Sequence, residues 1–263
     1  MRGTYRCKPT LIDLCLFALT AAGLLWLLFR GGDQMGYAWH WRKVMPYILT
    51  MTDGQLVTKP LCQGLLVTLQ ISGLSLVCAG IIGLAAALLR LSSSVVGRGL
   101  AWIYIESIRN TPLLVQIFVL YFVVAPIFGI GRTASAILAL SLFEGAYACE
   151  IFRAGIQSIT RGQWEACHSL GLTRWQSYRH IILPQAIRRV IPPLTSQAVS
   201  LIKDSALVST IAVYDLTMQG RTIIAETFLD FEIWSVVAAV YLVITLTLST
   251  LATRLEHRAA QLA

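Results

Sequence analysis

Charged residues are scarce in this chain of 263 residues, since Asp, Glu, Lys and Arg together make up 13% of it. Globular domains usually carry about 25%. Hydrophobic residues make up 56% of the sequence. This composition excludes an ordinary soluble domain and predicts an integral membrane protein.

Enzyme signatures and metal-binding patterns are also missing from the sequence. It has no phosphate-binding GxxxxGK[ST], no HExxH and no GxSxG, and its four histidines are scattered. The six cysteines show neither CxxC pairing nor metal spacing, and we interpret them as small apolar fillers. These absences predict a chain that is not an enzyme and holds no metal or cofactor of its own.

Six apolar runs reach, or nearly reach, the roughly 20 residues that a membrane-spanning helix needs. They lie at about 11–29, 62–89, 101–128, 134–152, 192–213 and 234–253. Only helices satisfy every backbone group within such runs, so we predict an all-α integral membrane protein with six spans. The first run follows a basic start like that of a secretory signal. It is long enough to span and ends without a small-residue cleavage site, so an uncleaved helix is expected.

The distribution of basic residues predicts the orientation of these spans. Thirteen of the 21 Lys and Arg residues fall on one side of the predicted spans and six on the other. Because Lys and Arg accumulate in cytoplasmic loops, the more basic side is predicted to be cytoplasmic, with both termini on it. The net charge of +8 therefore does not indicate nucleic-acid binding.

A polar, basic stretch at 160–184 interrupts the apolar sequence on the predicted cytoplasmic side. Thr160–Gln163 has the capping-box pattern of a helix start, and Gly171 falls where a left-handed residue would end that helix. Thr173–Gln176 repeats the capping pattern and predicts a second helix, running to about Ile182 with Pro184 near its end. Two short helices about a glycine hinge are typical of a docking element. A basic hairpin that only anchors neighbouring spans to anionic lipid is the alternative.

The same stretch resembles the EAA signature of bacterial ABC-importer permeases. The matching residues are Glu165, Ala166, Cys167, Gly171, Ile181, Leu183 and Pro184. The third position is Cys where that family usually has Ala, a small-for-small difference. The resemblance implies that these residues couple the chain to a separate ATP-hydrolysing subunit.

Other segments resemble one branch of that family, the polar amino-acid permeases of the histidine, glutamine and glutamate type. They are GLLVTLQISG (64–73), SIRNTPLLVQIFVLYF (107–122), GAYACEIFRAGIQSITRGQWEA (145–166), LPQAIRRVIPPL (183–194) and LIKDSALVS (201–209). Asn110 and Ser205-Ala206 depart from the usual pattern. Branch members often have a five-span core, so the resemblance implies a type I ABC-importer permease fold with one added N-terminal helix.

The resemblance also implies a domain division and a set of partners. Residues 1–60 would form the added helix and an external segment, and residues 61–263 the permease domain with coupling helices at about 160–183. Whether the aromatic segment 30–61 lies on the membrane surface or receives a binding protein stays open. The implied partners are two ATPase subunits that hold ATP and Mg, a second permease (a copy or a paralogue), a solute-binding protein, a polar amino-acid substrate and the bacterial inner membrane.

An ion-coupled secondary amino-acid transporter is the alternative function. Such a transporter would need its own coupling-ion site and usually has internal repeats with broken helices. No internal repeat is visible in the sequence, which favours the ATP-driven importer.

Polar residues inside the predicted spans are candidates for the substrate path, because they are costly in a membrane. Glu144 lies mid-span without a local partner, so we predict that it meets the amino group or cationic side chain of the substrate. Ser196, Ser200, Lys203 and Asp204 form a polar stripe on the fifth run. Adjacent helical residues point about 100° apart, so only one of Lys203 and Asp204 is expected to approach the path. Purely structural pairing of both is the alternative.

Five further residues are gate or structural candidates near the cytoplasmic side. Glu150 and Arg153 are spaced i, i+3 and are predicted to form an ion pair. Glu106 and Arg109 have the same spacing. Pro112 follows and predicts a kink in the third run, at a gate or a close helix crossing. A self-satisfied interfacial ion pair is the alternative for Glu106 and Arg109.

Overall fold

The computed structural model describes residues 11–34, 37–52 and 55–261, and the chain divides into two compact units between Arg42 and Lys43. The basic residues before residue 11, on which the prediction of a cytoplasmic N-terminus partly rests, lie outside the described residues. In the first unit, helix α1 (Leu11–Gln34) covers the first predicted span. Trp39 and Trp41 follow it with their rings stacked, 5.7 Å between centroids.

Short elements lie around the start of the second unit, and they include a small β-hairpin, the one exception to the predicted all-α fold among the described residues. After a 3₁₀ turn (Trp41–Lys43) and helix α2 (Met45–Ile48), strands β1 (Leu49–Thr52) and β2 (Gln55–Thr58) pair antiparallel, with Leu49 opposite Thr58. The sequence between the strands is Asp-Gly, a strong hairpin signal. The rest of the second unit that the structure describes is helical.

Two long helices form the centre of the second unit, α3 (Pro60–Leu91) and α7 (Arg132–Gln157). Small residues let their backbones approach closely, as is common between membrane helices. A Cβ atom built at Gly83 would lie 2.7 Å from Ala148 Cβ and 2.8 Å from the Gly145 carbonyl oxygen. The two helices therefore pack without room for a larger side chain at this point.

The predicted third span is broken in the structure. Helix α4 (Val95–Arg109) and the helical segment Leu113–Phe128 meet at an angle of 108°. That segment comprises α5 (Leu113–Phe118), a π-helical segment (Val119–Val124) and α6 (Ala125–Phe128). Pro112 is the N-cap of α5, which confirms the predicted kink and shows why 101–128 is not one straight helix. The Gln116 amide donates to the Ile108 carbonyl at 2.7 Å across the break.

The coupling region joins directly to the next long helix. Helix α8 (Arg161–Ser169) ends before the turn at Gly171. After that turn, α9 (Arg174–Ser177), a π-helical segment (Tyr178–Ile182) and α10 (Leu183–Asp204) follow one another without interruption. The predicted helix end near Pro184 and the predicted span start at 192 are therefore wrong. The Leu183 amide donates to the Tyr178 carbonyl, five residues back. This wider turn places Pro184 at the start of α10, where its missing N–H is tolerated.

The last part of the chain comprises a 3₁₀ segment (Ser205–Ile211), α11 (Leu216–Thr227) and α12 (Asp230–Gln261). The predicted fifth span, 192–213, thus ends its α-helical part at Asp204. Asp215 caps α11, because its Oδ1 accepts from the Met218 amide at 2.9 Å.

Three helices within the described ranges are long and apolar enough to cross a membrane, namely Pro60–Leu91, Arg132–Gln157 and Asp230–Arg254. The bent pair at Pro112 makes four if it is taken as one span. These helices establish a multi-pass membrane protein. The count of six spans and the orientation stay predictions.

Candidate coupling hairpin and substrate path

Helix α8 ends at Gly171 in the way that the sequence predicts. Gly171 has φ +68°, a left-handed conformation that glycine adopts without steric cost. Its amide donates to the His168 carbonyl at 3.0 Å, and the Leu172 amide donates to the Cys167 carbonyl at 3.1 Å. These two bonds form a Schellman motif, which ends a helix and sets the direction of the chain that follows.

One of the two predicted capping boxes is present. The Gln176 amide donates to Thr173 Oγ1 at 3.3 Å, and the Thr173 amide donates to Gln176 Oε1 at 2.9 Å. The predicted box at Thr160 is wrong, since that side chain makes no capping hydrogen bond. The Gln163 side chain instead accepts from Gln185 Nε2 at 3.1 Å and so ties α8 to α10.

Apolar packing fixes this coupling hairpin, residues 160–184, to the membrane helices. Ile159, Ile182 and Ala186 form a buried cluster, and Cys167 is fully buried. The Trp164 ring packs edge-on against the Tyr178 ring, with 5.0 Å between centroids. The Arg189 guanidinium donates to the Ser158 carbonyl, at the C-terminus of α7. The hairpin is therefore a rigid element, not a loose linker.

The outer surface of the coupling hairpin combines one carboxylate with exposed apolar side chains. Glu165 accepts from Arg161 at 3.1 Å, and both side chains are largely exposed. Leu170 is 74% exposed and Trp175 70%. The other predicted coupling residues divide into exposed Ala166, Leu183 and Pro184 and half-buried Ile181. Exposed large apolar side chains on a rigid element mark an interaction surface.

Glu144 lies on α7 and is fully buried. Its Oε2 accepts from Gln197 Nε2 of α10 at 2.6 Å, so its partner comes from another helix. Its Oε1 has no hydrogen-bond partner among the described residues. The carboxylate lines an open cavity of about 310 Å³, here called the acidic cavity, whose walls come from α3, α7 and α10 and include Leu76 and Ala148.

The polar stripe on α10 is partly exposed in the described second unit. Ser196 and Lys203 are exposed, whereas Ser200 and Asp204 are half-buried. Within the described part of the chain, neither Lys203 nor Asp204 belongs to an ion pair. The structure thus places the stripe where a partner subunit or water can reach it.

A second cavity of about 510 Å³ lies between α7 and α10. Its lining includes Arg109, Tyr147, Glu150, Arg189 and Gln197, and we call it the basic cavity. The Arg109 guanidinium carbon lies 5.4 Å from the centroid of the Tyr147 ring. This distance is within the range of a cation–π interaction.

The predicted Glu150–Arg153 ion pair is present and has a third member. Arg153 Nη2 donates to Glu150 Oε2 at 2.6 Å, and Arg90 of α3 donates to Glu150 Oε1. One carboxylate therefore neutralises only one of two guanidinium groups. Together with Arg109, this leaves the surroundings of the basic cavity positively charged.

The ion pair of Glu106 and Arg109, the alternative to a gate or a close helix crossing, is not formed between these described residues. The Asn110 amide nitrogen donates to Glu106 Oε2 at 2.9 Å, while Arg109 lies over the Tyr147 ring. Both residues lie within α4, so the contacts with Asn110 and Tyr147 take the place of the i, i+3 pair.

Three partners in this region were not predicted from the sequence: Gln197 for Glu144, Arg90 for Glu150 and Tyr147 for Arg109. Each partner lies on a different helix from the charge that it contacts. The sequence held one signal for the pairing of Arg90 with Glu150, since both residues lie near the cytoplasmic ends of predicted spans and thus at a similar depth in the membrane.

Comparison with known proteins identifies the family. The family described as "Binding-protein-dependent transport system inner membrane component" matches residues 79–261. The glutamine transport system permease protein GlnP of Escherichia coli is 42% identical over 201 residues, covering 75% of this chain and 92% of that protein. The probable glutamine ABC transporter permease protein GlnM of Bacillus subtilis is 40% identical over 197 residues, covering 73% and 89%.

A solved structure agrees with these sequence matches. The crystal structure of an amino acid ABC transporter with histidines aligns with a TM-score of 0.72 at 39% identity, covering 76% of this chain and 94% of that chain. The fold, the sequence matches and the coupling hairpin therefore all indicate the same family. The chain belongs to the binding-protein-dependent transport system inner membrane component family and is a permease subunit of an ABC transporter.

Proposed function

We propose that this permease is one half of the translocation path of an ATP-driven importer for polar amino acids in the bacterial inner membrane. The observation that carries the proposal is the connection between the coupling hairpin and the substrate path. The helical path from Arg174 to Asp204 is continuous, and it bears the exposed Trp175 at one end and Gln197 further along.

ATP hydrolysis would take place on separate subunits. Two copies of an ATPase would hold ATP and Mg, and each would receive one coupling hairpin in a surface groove. Glu165, Leu170 and Trp175 are available for this contact because they are exposed on a rigid hairpin. When the ATPases close, the hairpins move with them, and α10 moves because it is continuous with α9.

A second permease, either a copy or a paralogue, would complete the path. Ser196 and Lys203 are exposed on a helix of a membrane protein, and polar groups cannot face lipid without cost. A partner subunit or a water-filled path between two subunits would satisfy them. A solute-binding protein would deliver the substrate from outside the membrane.

The charges around the two cavities suit a zwitterionic substrate. Glu144 Oε1 has no partner among the described residues and can accept from an ammonium group. Arg109 lines the basic cavity and can donate to a carboxylate, since guanidinium and carboxylate groups pair through charge-assisted hydrogen bonds. We therefore assign the amino group of the substrate to Glu144 and its carboxylate to Arg109.

Reconstitution tests this proposal. Vesicles that hold the permease, the ATPase and the binding protein should accumulate radiolabelled glutamine only with ATP. Glu144→Gln should lower uptake by about 10- to 100-fold, because a charge-assisted hydrogen bond to the substrate is lost. Binding-protein-stimulated ATP hydrolysis should persist in that variant.

A matched control is Glu226→Gln, which removes an exposed carboxylate on α11 and should leave uptake unchanged. Normal uptake by the Glu144 variant would rule out its contact with the substrate. Absence of ATP-dependent uptake by the natural sequence, with glutamate and histidine as well as with glutamine, would rule out the proposed function itself.

A further inference from the structure

Gln197 lies between the acidic cavity and the basic cavity. The acidic cavity and the basic cavity have otherwise different linings, and Gln197 is the one described residue that belongs to both. On one side of it lie Glu144 and the apolar wall formed by α3. On the other side lie Arg109 and Tyr147. Gln197 therefore stands at the boundary of the two compartments.

Among the described residues, one hydrogen bond holds the Gln197 side chain in this position. Its Nε2 donates to Glu144 Oε2 at 2.6 Å, which joins α10 to α7 where the two helices cross. The helices are also in close contact at Gly155, where a Cβ atom would overlap the Val190 side chain. The crossing is therefore tightly closed near Gly155, and the Gln197 amide fills the gap beside Glu144.

We propose that Gln197 is the internal barrier of the substrate path, which separates the two cavities as long as its amide is bonded to Glu144. This inference rests on the proposed function, because it requires an amino acid whose ammonium group passes Gln197 to reach Glu144 while its carboxylate lies near Arg109. An ammonium group that reaches Glu144 replaces the Gln197 amide as the hydrogen-bond donor. Passage then exchanges one donor for another and never leaves the buried carboxylate wholly unpaired.

The position of Gln197 on α10 connects this barrier to ATP hydrolysis. Trp175 and Gln197 lie on one continuous helical path, 22 residues or about 30 Å apart at the helical rise per residue. A displacement of the coupling hairpin moves α10 relative to α7, and this movement stretches the bond between Gln197 and Glu144. ATP-driven motion thereby opens the barrier only during the transport cycle.

The experiment is a leak assay without ATP and without binding protein. Vesicles that hold the permease–ATPase complex are preloaded with radiolabelled glutamine and with radiolabelled sucrose as a marker of vesicle integrity. Gln197→Ala removes the barrier and should release glutamine about 10- to 100-fold faster than the natural sequence, the range expected for loss of one strong hydrogen bond. Sucrose should stay inside.

Gln70→Ala is the matched control, because Gln70 is an exposed glutamine on α3 that lines neither cavity. That substitution removes the same kind of side chain without joining the two cavities, so glutamine should stay inside. A Gln197→Ala complex that is as tight as the natural one, and that keeps ATPase activity stimulated by the binding protein, would overturn the inference.

A second variant decides the matter if Gln197→Ala fails to assemble. Gln197→Cys should leak as the free thiol. Iodoacetamide should close the leak, because the cysteine thiolate displaces iodide and gains a primary amide that can donate to Glu144. The same reagent on the natural sequence controls for the other cysteines. A Gln197→Cys leak that the reagent does not change, or no leak at all, would contradict the barrier.

The two proposals fail in distinguishable ways. Normal ATP-driven uptake by the natural sequence together with tight Gln197 variants refutes the barrier and leaves the importer intact. Absence of ATP-driven uptake by the natural sequence refutes the importer, whatever the Gln197 variants do.

Discussion

Substitutions of Gly171 should separate backbone strain from steric effects in the coupling hairpin. A Cβ atom at this position meets nothing within 4 Å, so Gly171→Ala introduces no clash. It places a non-glycine residue at φ +68°, which costs about 1–2 kcal/mol. Docking of the ATPase should therefore weaken by at most about 5- to 30-fold.

Gly171→Pro should be far more damaging than Gly171→Ala. Proline imposes φ near −65° and removes the amide that donates to the His168 carbonyl. It also disfavours the near-helical conformation of Leu170. The Schellman motif cannot form, and the second helix leaves α8 in another direction. Gly171→Asn should be the mildest change, because Asn tolerates the left-handed region better than Ala.

Binding of the purified ATPase to permease in nanodiscs measures this order. Affinity should fall from Gly to Asn to Ala, and Pro should abolish binding and stimulated ATP hydrolysis. If Gly171→Pro binds the ATPase as the natural sequence does, a fixed hairpin geometry is not needed for docking. If Ala and Asn abolish binding as Pro does, backbone strain is not the cause.

Three stability predictions and one transport prediction follow from other contacts. Gly83→Val should lower the thermal midpoint of unfolding in detergent, because overpacking against Ala148 costs about 1–3 kcal/mol. Gly73→Ala should leave the midpoint unchanged, because a Cβ atom at Gly73 has nothing within 4 Å. An unchanged midpoint for both variants would contradict the close packing. Glu150→Gln should lower the unfolding free energy by about 2 kcal/mol, since Arg90 and Arg153 lose their shared carboxylate; an unchanged midpoint would show that the triad contributes nothing. Arg153→Gln should be milder in the same thermal assay, because Arg90 still pairs. Arg109→Gln should reduce ATP-driven glutamine uptake without weakening ATPase binding, and unchanged uptake would remove Arg109 from the substrate path.

The parts of the fold that the sequence predicted are those encoded by neighbouring residues. The apolar runs locate α1, α3, α7 and α12 to within a few residues at most ends. The left-handed turn at Gly171 and the cap at Thr173 were also predictable, because each depends on contacts within about five residues. Pro112 predicted a kink, although the angle of 108° between the two helical segments depends on packing elsewhere in the bundle.

The parts that the sequence did not predict depend on contacts between distant residues. Glu144 and Gln197 are 53 positions apart, and Arg90 and Glu150 are 60 apart. A single sequence does not indicate which helices cross at these points. The helix through Pro184 was missed for a different reason. A π-helical turn precedes Pro184, and the helix continues although proline has no N–H group to donate. The usual rule, that a proline ends a helix, does not include this case.

The source of energy for uptake distinguishes an ABC permease from an ion-coupled carrier. The measurement is accumulation of radiolabelled glutamine by vesicles that hold the permease with and without its ATPase, in the presence of binding protein and either ATP or an ion gradient. We predict accumulation only with the ATPase and ATP, and its loss in the Gly171→Pro variant. Accumulation by the permease alone, driven by an ion gradient, would contradict the coupling mechanism.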